Sequence, residues 1–349
     1  MKIAFISTID HLLPPNGLGW ETNAYYLIKN LQQKGIDVTV YATGDSQVKN
    51  LRFSSKYSFE KKDKLGISEY WKYEHISKAF YDNIKEKFDL IHGWYNYEQI
   101  IFSKFAPTTP ILTTFHGIKP KYIDFYTKLY SRLESNNYIV GISKDNMNIF
   151  PDANWAGIAY HGLHIEDYPF VKNPQDYYCV VGRIDPEKGI AEIVKLATKL
   201  GLKLKIAGGI TNQDYFNQFI KPYISDKIQY LGLLDYRDKI KLFANAKASF
   251  HFAMYPFREA FGNTLTESMA CGTPVIALNN GSIPEIVMHN KTGFVVGSVD
   301  QAEKAVPKVE KIQRKDCREL VENKFTDAHM ADSYIKIYKN VIEKHKNAR

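Results

Sequence analysis

Short apolar runs that end in a glycine or small polar turn and then give way to a helical stretch recur along the chain, and this pattern constrains the fold most. Residues 2–7 run into a loop with Gly17 and Gly19, then into an amphipathic stretch at 21–31 that sets Ala24, Leu27, Ile28 and Leu31 on one side. Residues 36–42 form the next apolar run. Strand, glycine-containing loop, helix and strand make a βαβ unit, whose right-handed crossover gives a parallel sheet. Further on, residues 178–181, 204–207 and 228–231 end at Gly182, Gly208 and Gly232, and 248–252 leads into a loop and another helical run. At 349 residues the chain exceeds one core of ordinary size and fits two domains of about 150–180 residues. The expected class is α/β with two doubly wound domains, and ligands are expected beyond the C-terminal strand ends.

The loop and helix at 258–277 carry the densest chemistry. Arg258 and Glu259 precede a permissive turn at Gly262, Asn263 and Thr264 begin a helix, Glu267 follows, and Gly272 with Pro274 closes it before an apolar strand. Unpaired amides at such a helix start suit an anion, phosphate above all. Two carboxylates facing that anion would repel it, so neutral hydroxyls beside it are their natural partners. Thr264 with Glu267 three residues later equally fits a capping box, in which the acid only satisfies a backbone donor.

Other strand ends add to this. The turn at 182–189 presents Arg183 and Lys188 around Gly182 and Gly189, a fork and a point charge matched to a departing diphosphate. His116, just past the strand at 110–115 and followed by Gly117, stands at the mouth of its sheet, and His92 occupies a comparable strand end. Gly17-x-Gly19 does not complete a dinucleotide fingerprint, because the third position is Thr22. Residues 43–75 interleave Lys49, Arg52, Lys56, Lys61, Lys62 and Lys64 with Phe53, Tyr57, Phe59, Tyr70 and Trp71. Such a segment either grips a large or anionic acceptor or is a solvated excursion with hydrophobic anchors. The recurring Met330, Tyr334, Ile337, Tyr338 and Val341 of the last helix read as packing.

The net charge of +8, from 46 Lys plus Arg against 38 Asp plus Glu, favours an anionic partner. With no zinc-finger spacing, RNP-like strand or dense basic arm, nucleic acid is not the expected one. Cys179, Cys271 and Cys317 are odd in number and set among apolar or helical residues, which fits inert thiols in a reducing cytoplasm. No apolar window reaches transmembrane length, so membrane contact is expected to be peripheral at most.

Taken together, these residues resemble a retaining glycosyltransferase of the GT-B type, in glycosyltransferase family 4. The motifs are Glu259-x7-Glu267 within Arg258–Ile276, Gly182-Arg183 with Glu187-Lys188-Gly189, Thr114-x-His116-Gly117, and Gly281-x3-Glu285. The resemblance spans nearly the whole chain. It implies two Rossmann-like domains facing across a central cleft: an acceptor-side domain at 1–165, a nucleotide-sugar-binding domain at 166–325, and a helix at 326–349 crossing back to the first. It implies that Arg183 and Lys188 neutralise the diphosphate, that Glu267 accepts hydrogen bonds from the ribose and that Glu259 contacts the donor sugar. Gly182, Gly209, Ala260, Phe261, Gly262, Asn263 and Thr264 line the donor site, Gly17 and Gly19 approach the phosphates, and His116 reaches the sugar from the other domain. The implied reaction moves a hexose, with retention, from a nucleotide sugar, UDP-linked by preference, to a hydroxyl of a glycan or lipid-linked acceptor. The leaving phosphate helps to deprotonate the acceptor, and neither a metal nor another cofactor is required. The implied place is the cytoplasm or the inner membrane face.

Two positions depart from the family pattern. Leu18-Gly19 stands where two glycines are usual, and His161-Gly162 stands where Asn-Gly is frequent. Two other classes stay open on sequence alone: another nucleotide-sugar or phosphorylase-like enzyme of the same shape, and a nonenzymatic module that holds an anionic glycan. Release of nucleoside diphosphate only when an acceptor is present separates the transferase from both.

Overall fold

A computed structural model describes residues 1–15, 19–58 and 68–348. The chain divides into two compact units, Met1–Gly162 with Asp327–Arg349, and Leu163–Thr326.

In the first unit, β1 (Lys2–Ile6), β2 (Asp37–Tyr41), β3 (Leu51–Arg52), β4 (Leu90–Gly93), β5 (Ile111–Phe115), β6 (Asn137–Gly141) and β7 (Trp155–Ile158) form a parallel sheet in the order β3-β2-β1-β4-β5-β6-β7. Helices α1 (Gly19–Gln33), α2 (Ser68–Glu86), α3 (Ile123–Tyr130) and α4 (Lys144–Ile149) connect its strands. Alternation along β1 decides which layer each residue joins. Ile3 and Phe5 pack with Leu27, Ile28 and Leu31 of α1 and with Tyr334 and Tyr338 of the final helix, Asp327–Asn347. Ala4 and Ile6 pack on the opposite layer with Ile76, Ala79 and Phe80 of α2.

The region 43–75 is more regular than its polar composition suggests. It contributes β3 and the first two turns of α2, and Arg52 ties the two together through Asp82 at 2.8 Å and Glu86 at 2.7 Å. Arg52 therefore serves the fold, while Phe53, Tyr57 and Tyr70 are exposed. Phe59, Lys61, Lys62 and Lys64 lie outside the described residues, as does Gly17.

His92 corrects the expectation of a strand-end site residue. It sits inside β4, fully buried, with Nδ1 2.7 Å from the Tyr338 hydroxyl and Nε2 2.7 Å from Thr114 Oγ1. Thr114 Oγ1 is in turn 2.9 Å from the Tyr334 hydroxyl. Both ring nitrogens are thus occupied by the fold, one by Tyr338 of the final helix and the other by Thr114 of β5, which Tyr334 of the same helix holds in turn. Burial pushes His92 down to about 3 and His75, likewise fully buried, down to about 4. A histidine neutral when folded and protonated when unfolded makes the unfolded state bind more protons, so stability rises with pH. The contribution of His75 is complete above about pH 6.5 and is lost as pH falls from there towards 4, and His92 acts in the same direction. Between pH 7 and pH 5 each should remove about 2 kcal/mol from the unfolding free energy. Urea denaturation at the two pH values checks this, and equal midpoints would refute it.

The second unit repeats the scheme. Strands β8 (Tyr178–Val181), β9 (Leu204–Ala207), β10 (Ile228–Tyr230), β11 (Ala248–His251), β12 (Val275–Leu278) and β13 (Gly293–Val296) form a parallel sheet ordered β10-β9-β8-β11-β12-β13. This is the doubly wound order with its switch point between β8 and β11. Helices α5 (Ile190–Lys199), α6 (Gln213–Phe219), α7 (Tyr236–Asn245), α8 (Asn263–Ala270), α9 (Ile283–Ile286), α10 (Val299–Ala305) and α11 (Arg314–Lys324) cover it. Among the described residues no helix is long and apolar enough to cross a membrane.

Candidate active site

The switch point of the second unit is where β8, β11 and the start of α8 meet, and a cavity of about 130 Å³ opens there. Gly182, Lys188, His251, Glu259, Asn263 and Thr264 line it. Lys188 closes a short 3₁₀ turn, Pro186–Lys188, begun by Asp185, whose carboxylate accepts the Glu187 amide at 3.0 Å. The chain then turns at Gly189 with φ +57°, where a Cβ would lie 2.5 Å from the Phe252 carbonyl oxygen, so only glycine lets the turn lie against the end of β11. This directs the Lys188 ammonium to Glu259 Oε2 at 2.8 Å and sets it 4.4 Å from the centre of the Phe257 ring.

Glu259 is held from three sides. Its Oε2 also lies 2.8 Å from His251 Nε2, and the other nitrogen of that ring is 3.1 Å from Thr264 Oγ1. Its backbone is clamped by Gly281, where a Cβ would overlap the Glu259 carbonyl, and that carbonyl accepts the Ser282 amide at 2.9 Å. Asn280 steadies the intervening loop by donating to the carbonyls of Ala253 and Phe257 at 3.0 and 2.9 Å. Burial alone would raise the carboxyl, but Lys188 and then His251 outweigh it and hold Glu259 well below the usual carboxylate range. It is therefore an anion at any physiological pH.

Helix α8 starts at Gly262 with no side-chain cap. The capping box does not form: Thr264 is turned to His251, and Glu267 reaches sideways to Lys239 Nζ of α7 at 2.7 Å. Gly262, Asn263 and Thr264, where α8 begins, line the cavity, which sets the positive end of the helix dipole against it. The far end is pinned by Arg318, which donates to the Ala270 carbonyl at 2.8 Å. Glu267 is buried, and while Oε1 takes the lysine, Oε2 has no hydrogen-bond partner. Tyr236 beside it donates to the Tyr168 hydroxyl at 3.0 Å, and the Lys239 ammonium lies 5.3 Å from the Tyr236 ring centre.

Not every expected residue joins this cluster. Arg183 is 44% exposed and paired with Glu187 at 3.3 Å, at the rim of the same turn. The Phe261 side chain is core, packed edge-on against Phe325 at 5.9 Å. Gly209 leaves open space where a Cβ would stand, and its carbonyl accepts the Ile184 amide at 2.9 Å. In the first unit, His116 follows β5 with Nε2 3.1 Å from the Trp94 carbonyl, its ring edge-on to Trp20 at 4.4 Å. Burial, with His161 adding to it, pushes His116 well below the ordinary imidazole value, so the ring is neutral, and its Nδ1 has no partner. Gly19 is the first residue of α1.

His251 and Lys239 are the site residues that sequence reading passes over. His251 ends an apolar strand, and the strand-end criterion that singles out His116 applies equally to it. Lys239 lies 28 residues from Glu267 on a different helix, and nothing in the spacing pairs them. Among the described residues no group of three or more His, Cys, Asp or Glu is placed to hold a metal ion.

Residues 166–327 match the family model described as Glycosyl transferases group 1, and residues 19–140 match that of Glycosyltransferase Family 4. The chain belongs to these glycosyltransferases. Its curated relatives include the N-acetyl-alpha-D-glucosaminyl L-malate synthase of Bacillus anthracis, 28% identical over 54% of this chain and 47% of the relative. A probable sucrose-phosphate synthase of Thermosipho melanesiensis is 28% identical over 58% of this chain and 48% of the relative. The chain thus spans about half the length of the curated relatives it matches. Solved structures agree over almost the whole chain. The glycosyltransferase AviGT4, involved in avilamycin A biosynthesis, has a TM-score of 0.75 at 18% identity, with 98% of each chain covered. The Anabaena protein HepE, in complex with UDP and glucose, has a TM-score of 0.71 at 17% identity, covering 96% of this chain and 98% of HepE. These likenesses give this glycosyltransferase the GT-B fold, two Rossmann-like domains each built on a parallel sheet.

Proposed function

We propose that this glycosyltransferase moves a hexose, with retention of configuration, from a UDP-sugar to a hydroxyl of a glycan or lipid-linked acceptor. The observation that carries the reading is the Lys188–Glu259–His251 cluster, its carboxylate and imidazole buried and its ammonium half-buried, beside the start of α8. A cation and a helix start together suit a diphosphate, and a fixed carboxylate next to them suits the hydroxyls of the sugar it carries. HepE, solved with UDP-glucose as well as with UDP and glucose, supports the choice of base and sugar class.

In this reading Lys188 and the amides of Asn263 and Thr264 meet the charge that develops on the leaving phosphate, and Arg183 swings from Glu187 to assist. Glu259 accepts from a sugar hydroxyl, and the free Oε2 of Glu267 accepts from the ribose. Gly182, Gly209 and the chain from Ala260 to Gly262 shape the donor wall. The neutral His116 contacts the sugar through Nδ1. Gly19 lies near the phosphates, and Gly17 belongs to the same assignment. The departing phosphate takes the acceptor proton on the face it leaves, so no side-chain nucleophile is needed. Lys188 and Arg183 provide the countercharge, and no metal or other cofactor is assigned. The domain assignment is an acceptor side at 1–165, a donor side at 166–325 and a tie at 326–349. The three buried free cysteines suit a reducing cytoplasm, with a lipid-linked acceptor drawing the enzyme to the inner membrane face.

The test is a product assay with UDP-hexoses and a panel of glycan and lipid-linked acceptors. UDP should appear only when an acceptor is present, and proton NMR of the product should show the donor's anomeric configuration. Conversion of the donor to an epimer, or release of a sugar phosphate without acceptor, would overturn the reading.

A further inference from the structure

A second, larger cavity, of about 520 Å³, lies in the first unit on the flank of the sheet, between the outer face of α1 and residues 47–50. It is bounded below by Ile36, just before β2, and so lies away from the C-terminal strand ends where His116 sits. Its size falls within the range of small-ligand sites, roughly 300–1,000 Å³.

The lining has a definite chemistry. Ile28, Ile36 and Val48 form a floor continuous with the core. Around it stand Tyr25, Lys29, Gln32, Gln47, Lys49 and Asn50, with no carboxylate among the lining residues. Neither lysine has an ion-pair partner among the described residues, and the Lys29 ammonium lies 5.9 Å from the Tyr26 ring centre. The walls are fixed rather than loose. Gln32 Nε2 donates to the Lys49 carbonyl at 3.1 Å, the Gln47 amide donates to the Leu13 carbonyl at 2.6 Å, and Asn50, at φ +53°, takes the Val40 amide on its carbonyl at 2.9 Å.

A carboxamide offers two donors and an acceptor side by side, which matches neighbouring hydroxyls on a sugar ring. A tyrosine ring offers an apolar face with a polar tip. Two uncompensated ammonium groups add a demand for negative charge. The apolar floor is too small a share of the wall for an acyl chain, and two lysines do not make a track for a polynucleotide backbone. We propose that this pocket binds an anionic saccharide, its acidic group seated between Lys29 and Lys49 and its hydroxyls on Gln47 and Asn50. It is a glycan-holding site separate from the donor cavity, and it does not rest on the donor reading.

Isothermal titration of the whole chain tests this with four probes: a glucuronate-containing tetrasaccharide, a neutral glucose tetrasaccharide, glucose 6-phosphate and inorganic phosphate. At least one acidic sugar should bind saturably and at least tenfold more tightly than the neutral one. Preference for the uronate or for the phosphate ester identifies the acidic group. The double variant Lys29→Gln, Lys49→Gln should weaken that binding at least tenfold, and Gln47→Ala with Asn50→Gly, glycine keeping the left-handed backbone of position 50, at least threefold. Both should melt within 2–3 °C of the parent, as partly and fully exposed substitutions do, roughly, and both should keep the parent's affinity for UDP. Absence of saturable binding by either acidic sugar, binding indifferent to the lysine variant, or inorganic phosphate binding as tightly as the sugar would each overturn the proposal.

Discussion

Replacing Lys188 with alanine is expected to lower turnover of a nucleotide-sugar donor by about 100- to 1,000-fold, the usual cost of deleting one preorganised group that meets developing charge. The ammonium belongs to a residue lining the cavity and is fixed 2.8 Å from Glu259 by a turn that only glycine at 189 permits. Its removal also leaves a buried carboxylate with His251 as its remaining side-chain partner. Breaking a buried pair costs about 3–5 kcal/mol when nothing replaces the lost partner, and the hydrogen bond that His251 keeps to the carboxylate at 2.8 Å should hold the loss to the lower end of that range. The variant should therefore fold, melt earlier and turn over slowly, with Lys188→Arg recovering stability before it recovers rate, because a planar fork replaces a point charge. Steady-state kinetics with urea denaturation separates the two effects. Turnover within threefold of the parent would remove Lys188 from the reaction.

Glu267→Gln is the second large expected effect, and it acts on binding. Glu267 is a carboxylate with one oxygen on Lys239 and the other buried without a partner. An unmade hydrogen bond of this kind is costly in the free protein and favourable to fill, about 1–3 kcal/mol. The amide should raise the Kd for UDP by about 10- to 100-fold, since a charged acceptor gives way to a neutral one beside an unpaired lysine. Turnover at saturating donor should change little. A donor whose ribose lacks its 2′ and 3′ hydroxyls sharpens the test: against that analogue, parent and variant should bind alike. An equal loss with both donors would make Glu267 a purely structural partner of Lys239.

Much of the fold is legible in the sequence, because parallel sheets advertise themselves. Strands such as 178–181 and 204–207 are short apolar runs stopped by glycine, and helices such as α5 keep a clean buried stripe of Ile190, Ile193, Val194 and Ala197. Legibility fails where the partner is distant in sequence. His92 looks like His116 until Tyr334 and Tyr338, more than two hundred residues away, occupy its surroundings. Glu267 looks like a cap until Lys239 is seen on the neighbouring helix. The start of α2 is hidden for another reason: Tyr70 is 67% exposed, so its first turns lack the apolar periodicity that marks a helix. The site was readable through Lys188, Glu259 and Thr264, which sit on turns with their own glycine signals. His251 falls under the same strand-end rule as His116, but a strand read as 248–252 runs one residue past it and leaves it hidden between Phe250 and Phe252.

The account depends most on unit Leu163–Thr326 holding a nucleoside diphosphate at the start of α8. The direct measurement is thermal denaturation of the parent chain and of Lys188→Ala with UDP, GDP and ADP at equal, near-millimolar concentrations. Only a ligand that binds the folded state raises the midpoint, by about 2.7 kcal/mol of stabilisation at a hundredfold excess over Kd. The account predicts a clear rise with UDP, a smaller one with GDP, and loss of most of the UDP shift in the variant. No rise with any of the three, or a UDP shift that Lys188→Ala leaves intact, would contradict it.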